Sequence, residues 1–232
     1  MTPRFILPPH PPTANKCKRE DLDYYESQGL WVAQRKFNGT HVVIWVYRDS
    51  VSLWDRRGSH LTLYKLTESM KGCLCNLNLN GKETVFAGEL LHTKAKRKDT
   101  DKQAAENTIV LFDVLFHENH LIKINQDERL NLLEELCGNP KELEPGGFFG
   151  ATKRALIVNQ QNESNLWLAE RFYDEFSYHF DECMEEDKGI DKYPEIEGLI
   201  LRLKNSKLHS NPKRDVEWII RCRKPKNKIY DF

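Results

Sequence analysis

Five stretches of otherwise apolar sequence each carry one or two charged residues. They are Lys36 in WVAQRKF, Glu89 in TVFAGELL, Asp113 in IVLFDVLF, Glu197 in IEGLILRL, and the pair Arg221 and Arg223 in VEWIIRCR. A charge inside an apolar strand is costly unless it is paired or used. Five in one chain point to a convergent polar site. The inventory suits one chemistry. A deprotonated lysine amine can attack the α-phosphorus of a nucleotide. Carboxylates can hold Mg²⁺, which prefers oxygen ligands and substrate phosphates. Arginines take phosphate oxygens bidentately, and an aromatic such as Phe112 can stack on a base.

Each residue also has a plainer reading. Asn38-Gly39 between two apolar runs is a strong hairpin signal, because a type I′ turn needs positive φ at both central residues. On that basis Lys36 is a strand-end lysine facing water, in a hairpin from Trp31 to Tyr47. A charge run is ordinarily a solvated face. That fits the acidic stretch Glu163–Glu197, with twelve acids against three bases. The stretch Arg202–Lys228, with ten bases against two acids, is different, because its charges alternate with Trp218, Ile219, Ile220 and Cys222. That pattern suits a strand with one face aimed at an anion.

Composition sets bounds on the rest. At 232 residues the chain is one large domain or two small ones, and 39% hydrophobic content with 10% aromatic supports a packed core. Lysine plus arginine and aspartate plus glutamate number 35 each. The chain is therefore no polycation, and nucleic-acid binding must come from local patches. Six cysteines lie in neither C-x-x-C pairs nor a zinc pattern with histidine. Scattered free thiols point to a reducing, intracellular, cytoplasmic setting. Prolines interrupt the N-terminus where a signal peptide needs an apolar run, and no segment reaches membrane-span length.

Local patterns define the elements that must position these residues. Phe5-Ile6-Leu7 suggests a short edge strand in a proline-rich arm. A helix over Asp21–Ser27 stops at Gly29. A strand over Ser50–Trp54 leads into the Asp55–Gly58 turn. Leu63, Leu66, Met70 and Leu74 have helical spacing, and Asn80-Gly81 breaks the chain after that helix. Strands cover Thr84–Leu91 and Ile109–Phe116, with a polar loop over residues 92–106. Asn125 and Glu128 form a capping box, and Gly138 ends that helix, whose apolar face is Leu130, Leu133 and Leu136 or Cys137. Pro145-Gly146-Gly147 is a loop, and Ala155–Asn159 a short strand. Leu166–Met184 reads as one long helix. Strands over Ile196–Leu203 and Val216–Arg223 close the chain. Mixed elements without regular alternation argue for α+β.

In this order the motifs resemble those of the covalent nucleotidyltransferase superfamily: ATP-dependent DNA ligases, RNA ligases and mRNA capping enzymes. Lys36-Phe37-Asn38-Gly39 is similar to motif I, whose lysine takes the nucleotide through a phosphoramide bond. Asp55-Arg56-Arg57-Gly58 resembles the ligase motif Ia, whose arginine, here Arg56, contacts nick phosphates. Phe86–Leu90 resembles motif III, with Glu89 as the acid contacting ribose and metal. Leu111–Val114 resembles motif IIIa, with Phe112 stacking on the base. Glu197–Arg202 resembles motif IV, with Glu197 as the metal-site acid. Trp218–Arg223 resembles motif V, which supplies two cations to the phosphates; Arg221 and Arg223 fit best, with Lys224 and Lys226 as alternatives. The six span residues 36 to 223.

Several positions depart from the pattern. Asn38 replaces the usual aspartate of motif I. His41 stands where ligases carry an arginine, which affects ribose binding. Gln34 falls where a glutamate reads the adenine amino group, and its carbonyl can accept the same bond.

The resemblance implies a single α+β, ATP-grasp-like nucleotidyltransferase domain over residues 1–232. Its twisted antiparallel sheets would carry flanking helices and a nucleotide cleft between them, with no OB-fold domain. It implies ATP-dependent ligation of nicked DNA, with RNA ligation, capping, or a degenerate nucleic-acid-binding module as alternatives. Expected nucleotide contacts are Gln34, Lys36, Phe37, His41, Arg56, Glu89, Phe112, Glu197, Arg221 and Arg223. Expected nucleic-acid contacts are Arg56, Arg57, Lys224 and Lys226, and the expected Mg²⁺ ligands are Glu89 and Glu197. The expected protein is a monomer without membrane attachment, acting either as a stand-alone catalytic domain or with a partner supplying an OB-like domain; a compact lone ligase domain suits a phage or virus.

Overall fold

The computed structural model describes residues 2–62, 64–77, 79–91, 107–118, 120–121, 123–138, 141–142, 156–157, 165–185, 196–208 and 215–224. The 92–106 loop, Leu63, Pro145-Gly146-Gly147 and Lys226 lie outside them. In chain order the elements are β1 (Lys16–Cys17), α1 (Leu22–Ser27), β2 (Trp31–Phe37), β3 (Thr40–Tyr47), β4 (Ser50–Asp55), α2 (Glu68–Cys75), β5 (Thr84–Leu91), β6 (Thr108–His117), β7 (His120–Leu121), α3 (Gln126–Cys137), β8 (Lys141–Glu142), β9 (Leu156–Ile157), β10 (Leu166–Leu168), β11 (Arg171–Phe172), α4 (Phe176–Glu185), β12 (Ile196–Leu203) and β13 (Ile219–Arg223).

The strands form two sheets. The smaller runs β1-β13-β12-β2-β11; the larger runs β4-β3-β5-β6-β10-β9-β8, with β7 paired to β6. The sheets are mixed rather than purely antiparallel, because β1 joins β13 and β10 joins β6 in parallel. Parallel neighbours need a long crossover, and α3 lies within the one from β6 to β10.

The expected Lys36 hairpin does not form. β2 pairs with β12 and β11 in one sheet, while β3 pairs with β4 and β5 in the other. Asn38-Gly39 is the link that changes sheets, and neither residue has positive φ. Gly39 is required for space instead: a Cβ there would lie 2.4 Å from the Leu90 carbonyl oxygen. At Asn80-Gly81 the left-handed pair does occur, with φ of 48° and 70°.

Two further expectations change. Leu166–Met184 is not one helix: Leu166–Leu168 is buried throughout and pairs with β6, and Glu175, at φ 53°, precedes α4. Only the later part of the apolar spacing, Phe176 and Phe180, lies on a helix. Phe5–Leu7 is not a strand; the Phe5 ring packs edge-on against Trp54 at 6.1 Å. The α3 capping box is formed, Asn125 Oδ1 accepting from Glu128 N and Glu128 Oε2 from Asn125 N, both at 2.9 Å.

The larger sheet is buried on both faces. Val42, Ile44 and Val46 of β3 pack with Met70 and Leu74 of α2 and Leu133 of α3, whereas Val43 and Trp45 pack with Trp54 and Phe116 on the other face. A third cluster joins the sheets: Phe37, Leu199 and Cys222 of the smaller one meet Leu91, Val110 and Trp167 of the larger one and Phe176 of α4. This shared core fixes the spacing of the cleft walls.

Candidate active site

The smaller sheet forms one wall by strict alternation. Lys36 pairs with Gly198, and Gly198 with Arg223; Gln34 pairs with Ile200, and Ile200 with Arg221. Directly paired residues share a face, so two cross-strand rows, Lys36-Gly198-Arg223 and Gln34-Ile200-Arg221, look the same way. Arg202 extends the face one step further along β12. The larger sheet supplies the facing wall: His41, its partner Glu89, and Phe112. The Asp55–Gly58 turn closes one side. Together they line a cavity of about 390 Å³.

Two of the key side chains sit on β-bulges. Between Ile196 and Gly198 the β12 register against β2 slips by one, so Glu197 is the extra residue. Between Leu111 and Asp113 the β6 register against β5 slips likewise, so Phe112 is extra. A bulge re-aims a side chain and bends the strand, which is why bulges gather at functional sites. Gly198 has no alternative. Its φ is +131°, and a Cβ would lie 2.2 Å from the Cys222 carbonyl oxygen.

Lys36 Nζ lies 2.6 Å from Glu197 Oε2, and Arg223 Nε lies 3.2 Å from the same oxygen. The Lys36 side chain is 18% exposed and that of Glu197 25%, so this pair borders the cleft without being sealed. Glu89 Oε1 accepts from Gly39 N at 2.9 Å, tying the sheet-changing link to the opposite wall.

The inner end of the cleft is sealed and cationic. The Arg202 side chain is 4% exposed. Its Nε donates to Gln34 Oε1 at 3.1 Å, its guanidinium lies 5.1 Å over the Phe112 ring, and its buried Nη1 has no hydrogen-bond partner among the described residues. Burial pulls the Arg202 pKa down to about 10; nearby Asp113 opposes this and Arg129 adds to it. His41 is held neutral, its pKa pushed down to about 3 by burial first and then by His10, Arg202, Arg56 and Lys36. Its buried Nε2 likewise has no hydrogen-bond partner among the described residues, and its ring meets Phe112 edge-on at 5.3 Å. Arg221 is lowered by burial and by Arg223 beside it. Among the described residues neither His41 Nε2 nor Arg202 Nη1 has a hydrogen-bond partner, although both residues border the cavity.

Most of the expected site residues converge here. Gln34, Lys36, Phe37, His41, Arg56, Arg57, Glu89, Phe112, Glu197, Arg221 and Arg223 all border the cavity. Phe37, however, packs in the shared core. Lys224 follows β13 and is not among the lining residues. Asp113 does not border the cavity: it is fully buried and pairs with Arg129 Nε at 2.9 Å and Nη2 at 3.3 Å. It anchors α3 and stands behind Arg202, 4.0 Å from Nη1. Arg202 and His10 join the site without having been expected there. The alternation Gly198, Ile200, Arg202 marks Arg202 in the sequence, whereas His10 reaches the site through long-range packing of the N-terminal arm.

Among the described residues no group of three or more His, Cys, Asp or Glu forms a cation cage. Glu89 and Glu197 are oxygen donors bordering one cavity, which suits Mg²⁺ carried in on phosphates and keeping its own waters.

No protein-family model matches the sequence, and no curated protein matches it. Solved structures do match the fold. A mycobacterial DNA ligase D complexed with ATP and MES is 15% identical, with a TM-score of 0.55, covering 84% of this chain and 54% of that one. The ligase domain of LigD from M. tuberculosis is 16% identical, with a TM-score of 0.53, covering 82% and 52%. The chain shares its fold with part of these DNA ligases. The chain spans about half the length of the ligase chains it matches.

Proposed function

We propose that residues 1–232 form the nucleotidyltransferase domain of an ATP-dependent polynucleotide ligase acting on nicked DNA. The observation that carries the reading is the row Lys36-Gly198-Arg223 with Glu197 bulged beside it, facing Phe112 across a cavity in a ligase fold.

The base enters between Phe112 and Ile200. At its edge Arg202 Nη1 offers a donor, and Gln34 Oε1, oriented by Arg202 Nε and by the Gln34 amide donating to the Ala169 carbonyl at 3.5 Å, keeps a second lone pair. A donor beside an acceptor matches N1 and the amino group of adenine. Arg221 and Arg223 take phosphate oxygens. Glu197 and Glu89 would hold Mg²⁺, which, when bound, withdraws charge from the phosphates.

Lys36 Nζ, freed of a proton, attacks the α-phosphorus. A P–N bond forms, the bond from α-phosphorus to the bridging oxygen breaks, and pyrophosphate leaves. A terminal 5′-phosphate oxygen of the nick then attacks the same phosphorus and restores the lysine. The 3′-hydroxyl finally attacks the 5′-phosphorus, and AMP departs. The protein's contribution is positioning and charge stabilisation. Asn38 supplies no negative charge in this scheme; Glu197 is the carboxylate placed at Lys36.

Sealing of a nicked DNA duplex with ATP and Mg²⁺ tests the reading, with a nicked RNA duplex in parallel. Lys36→Ala should abolish sealing. If that variant sealed nicks as well as the wild type, the reading would be wrong.

A further inference from the structure

The N-terminal arm bridges the two sheets across the rim of the cleft. At its start Arg4 lies 4.3 Å over the Phe116 ring and 3.4 Å from Glu83, and Phe5 packs on Trp54 and against Gly58. At its end the smaller sheet holds it. Val216 N donates to the His10 carbonyl at 2.9 Å, Arg221 Nη2 to the Pro12 carbonyl at 2.6 Å, and β1 pairs with β13. Between these anchors the sequence is Pro8-Pro9-His10-Pro11-Pro12, with Pro8 and Pro11 buried. Prolines fix φ, so this span has few alternative conformations to lose.

His10 therefore has a fixed place, and it meets Arg56. Arg56 Nη1 lies 3.1 Å from His10 Nε2. A guanidinium only donates, so Nε2 accepts and His10 is the neutral tautomer carrying its proton on Nδ1. Arg56 is itself set on a rigid turn: Asp55 Oδ1 accepts from Arg57 N at 2.8 Å and Ser59 N at 2.9 Å, and Gly58 takes φ +88°.

We infer that His10 is a positioning residue for Arg56, holding its guanidinium at the cleft rim so that the remaining N–H donors face a backbone phosphate of a nicked duplex. This rests on the ligase reading, through the role given to Arg56. The residues anchoring the arm on the smaller sheet include Arg221, which in the same reading also serves the nucleotide phosphates. An unheld arginine must be immobilised on binding, and one such side chain is worth about three- to tenfold in affinity.

The test is a double-mutant cycle on the affinity of the full chain for a nicked DNA duplex, read by fluorescence anisotropy at fixed salt. His10→Ala should weaken binding about three- to tenfold, the worth of one immobilised side chain. In the Arg56→Ala background the same change should add nothing. His10→Gln, whose Oε1 can accept the same bond, should recover most of the loss. Full additivity of the two alanine changes, or a His10→Gln variant as weak as His10→Ala, overturns the inference, as does a wild type that binds no nicked duplex. Failure of the ligase reading shows separately, as a folded wild type that forms no adenylate on Lys36 although the cycle remains non-additive.

Discussion

Lys36 and Glu197 form a close charge contact at the cleft, 2.6 Å apart, and Arg223 shares the same carboxylate oxygen. One carboxylate oxygen thus balances two cations. His41 is the second informative residue, since its pKa of about 3 lies far below the ordinary 6.5. The unfolded chain binds a proton at this side chain below pH 6.5, whereas the folded chain does not until about pH 3. Stability is therefore fully present above pH 6.5 and falls with acidification, at about 1.4 kcal/mol per pH unit from this group. Denaturant titrations of wild type and His41→Asn at pH 7 and pH 5 check this. The variant should lose about 1–2 kcal/mol less than the wild type over that interval, by the same linkage; equal losses would mean that His41 is not held neutral.

Among the elements, β12 decides the site. Its bulge turns Glu197 toward Lys36, and Gly198 permits the turn where any side chain would strike the Cys222 carbonyl. Gly198→Ala should cost about 1–3 kcal/mol as backbone strain at positive φ. It should also cut adenylate formation strongly, because the bulge relaxes and Glu197 swings away. Thermal melts and adenylation rates measure the two effects, and an unchanged adenylation rate would show that the bulge is not needed. The ends of β12 were legible from sequence because its apolar run is bounded, and the same holds for β5. The bulges on β12 and β6 were not legible, since an extra residue shows only against a partner strand. The β2–β3 hairpin failed for a related reason. Asn38-Gly39 carries the local signal for a tight turn, yet β2 is captured by β12, some 160 residues later in the chain, and long-range pairing overrides the turn propensity. Where no such partner competes, at Asn80-Gly81, the left-handed pair forms. The β10 segment misled in the same way. Leu166-Trp167-Leu168-Ala169 continues into a helical spacing, and only its pairing with β6 makes it a strand.

On the scale of the molecule, two sheets share one core through Phe37, Val110 and Trp167, and the polar residues gather where the sheets face each other. The order of motifs along the chain made the charged residues of the cleft legible in advance. What was hidden is the layer behind and around them. The Asp113–Arg129 pair, wholly buried, secures α3 behind Arg202, and the proline-rich arm crosses from one sheet to the other at the rim. Removing one member of such a buried pair typically costs about 3–5 kcal/mol, because the other charge is left uncompensated. These contacts join residues far apart in sequence, and no local pattern announces them.

The proposed function makes Lys36 a nucleophile in a nucleotide cleft. Incubation of the folded chain with ATP and Mg²⁺, followed by intact-protein and peptide mass spectrometry, tests that most directly. The expected result is a mass gain of one AMP on Lys36, lost in Lys36→Ala, with little or no adduct from GTP. Folded protein that gains no AMP, or that carries it on another residue, would contradict the claim.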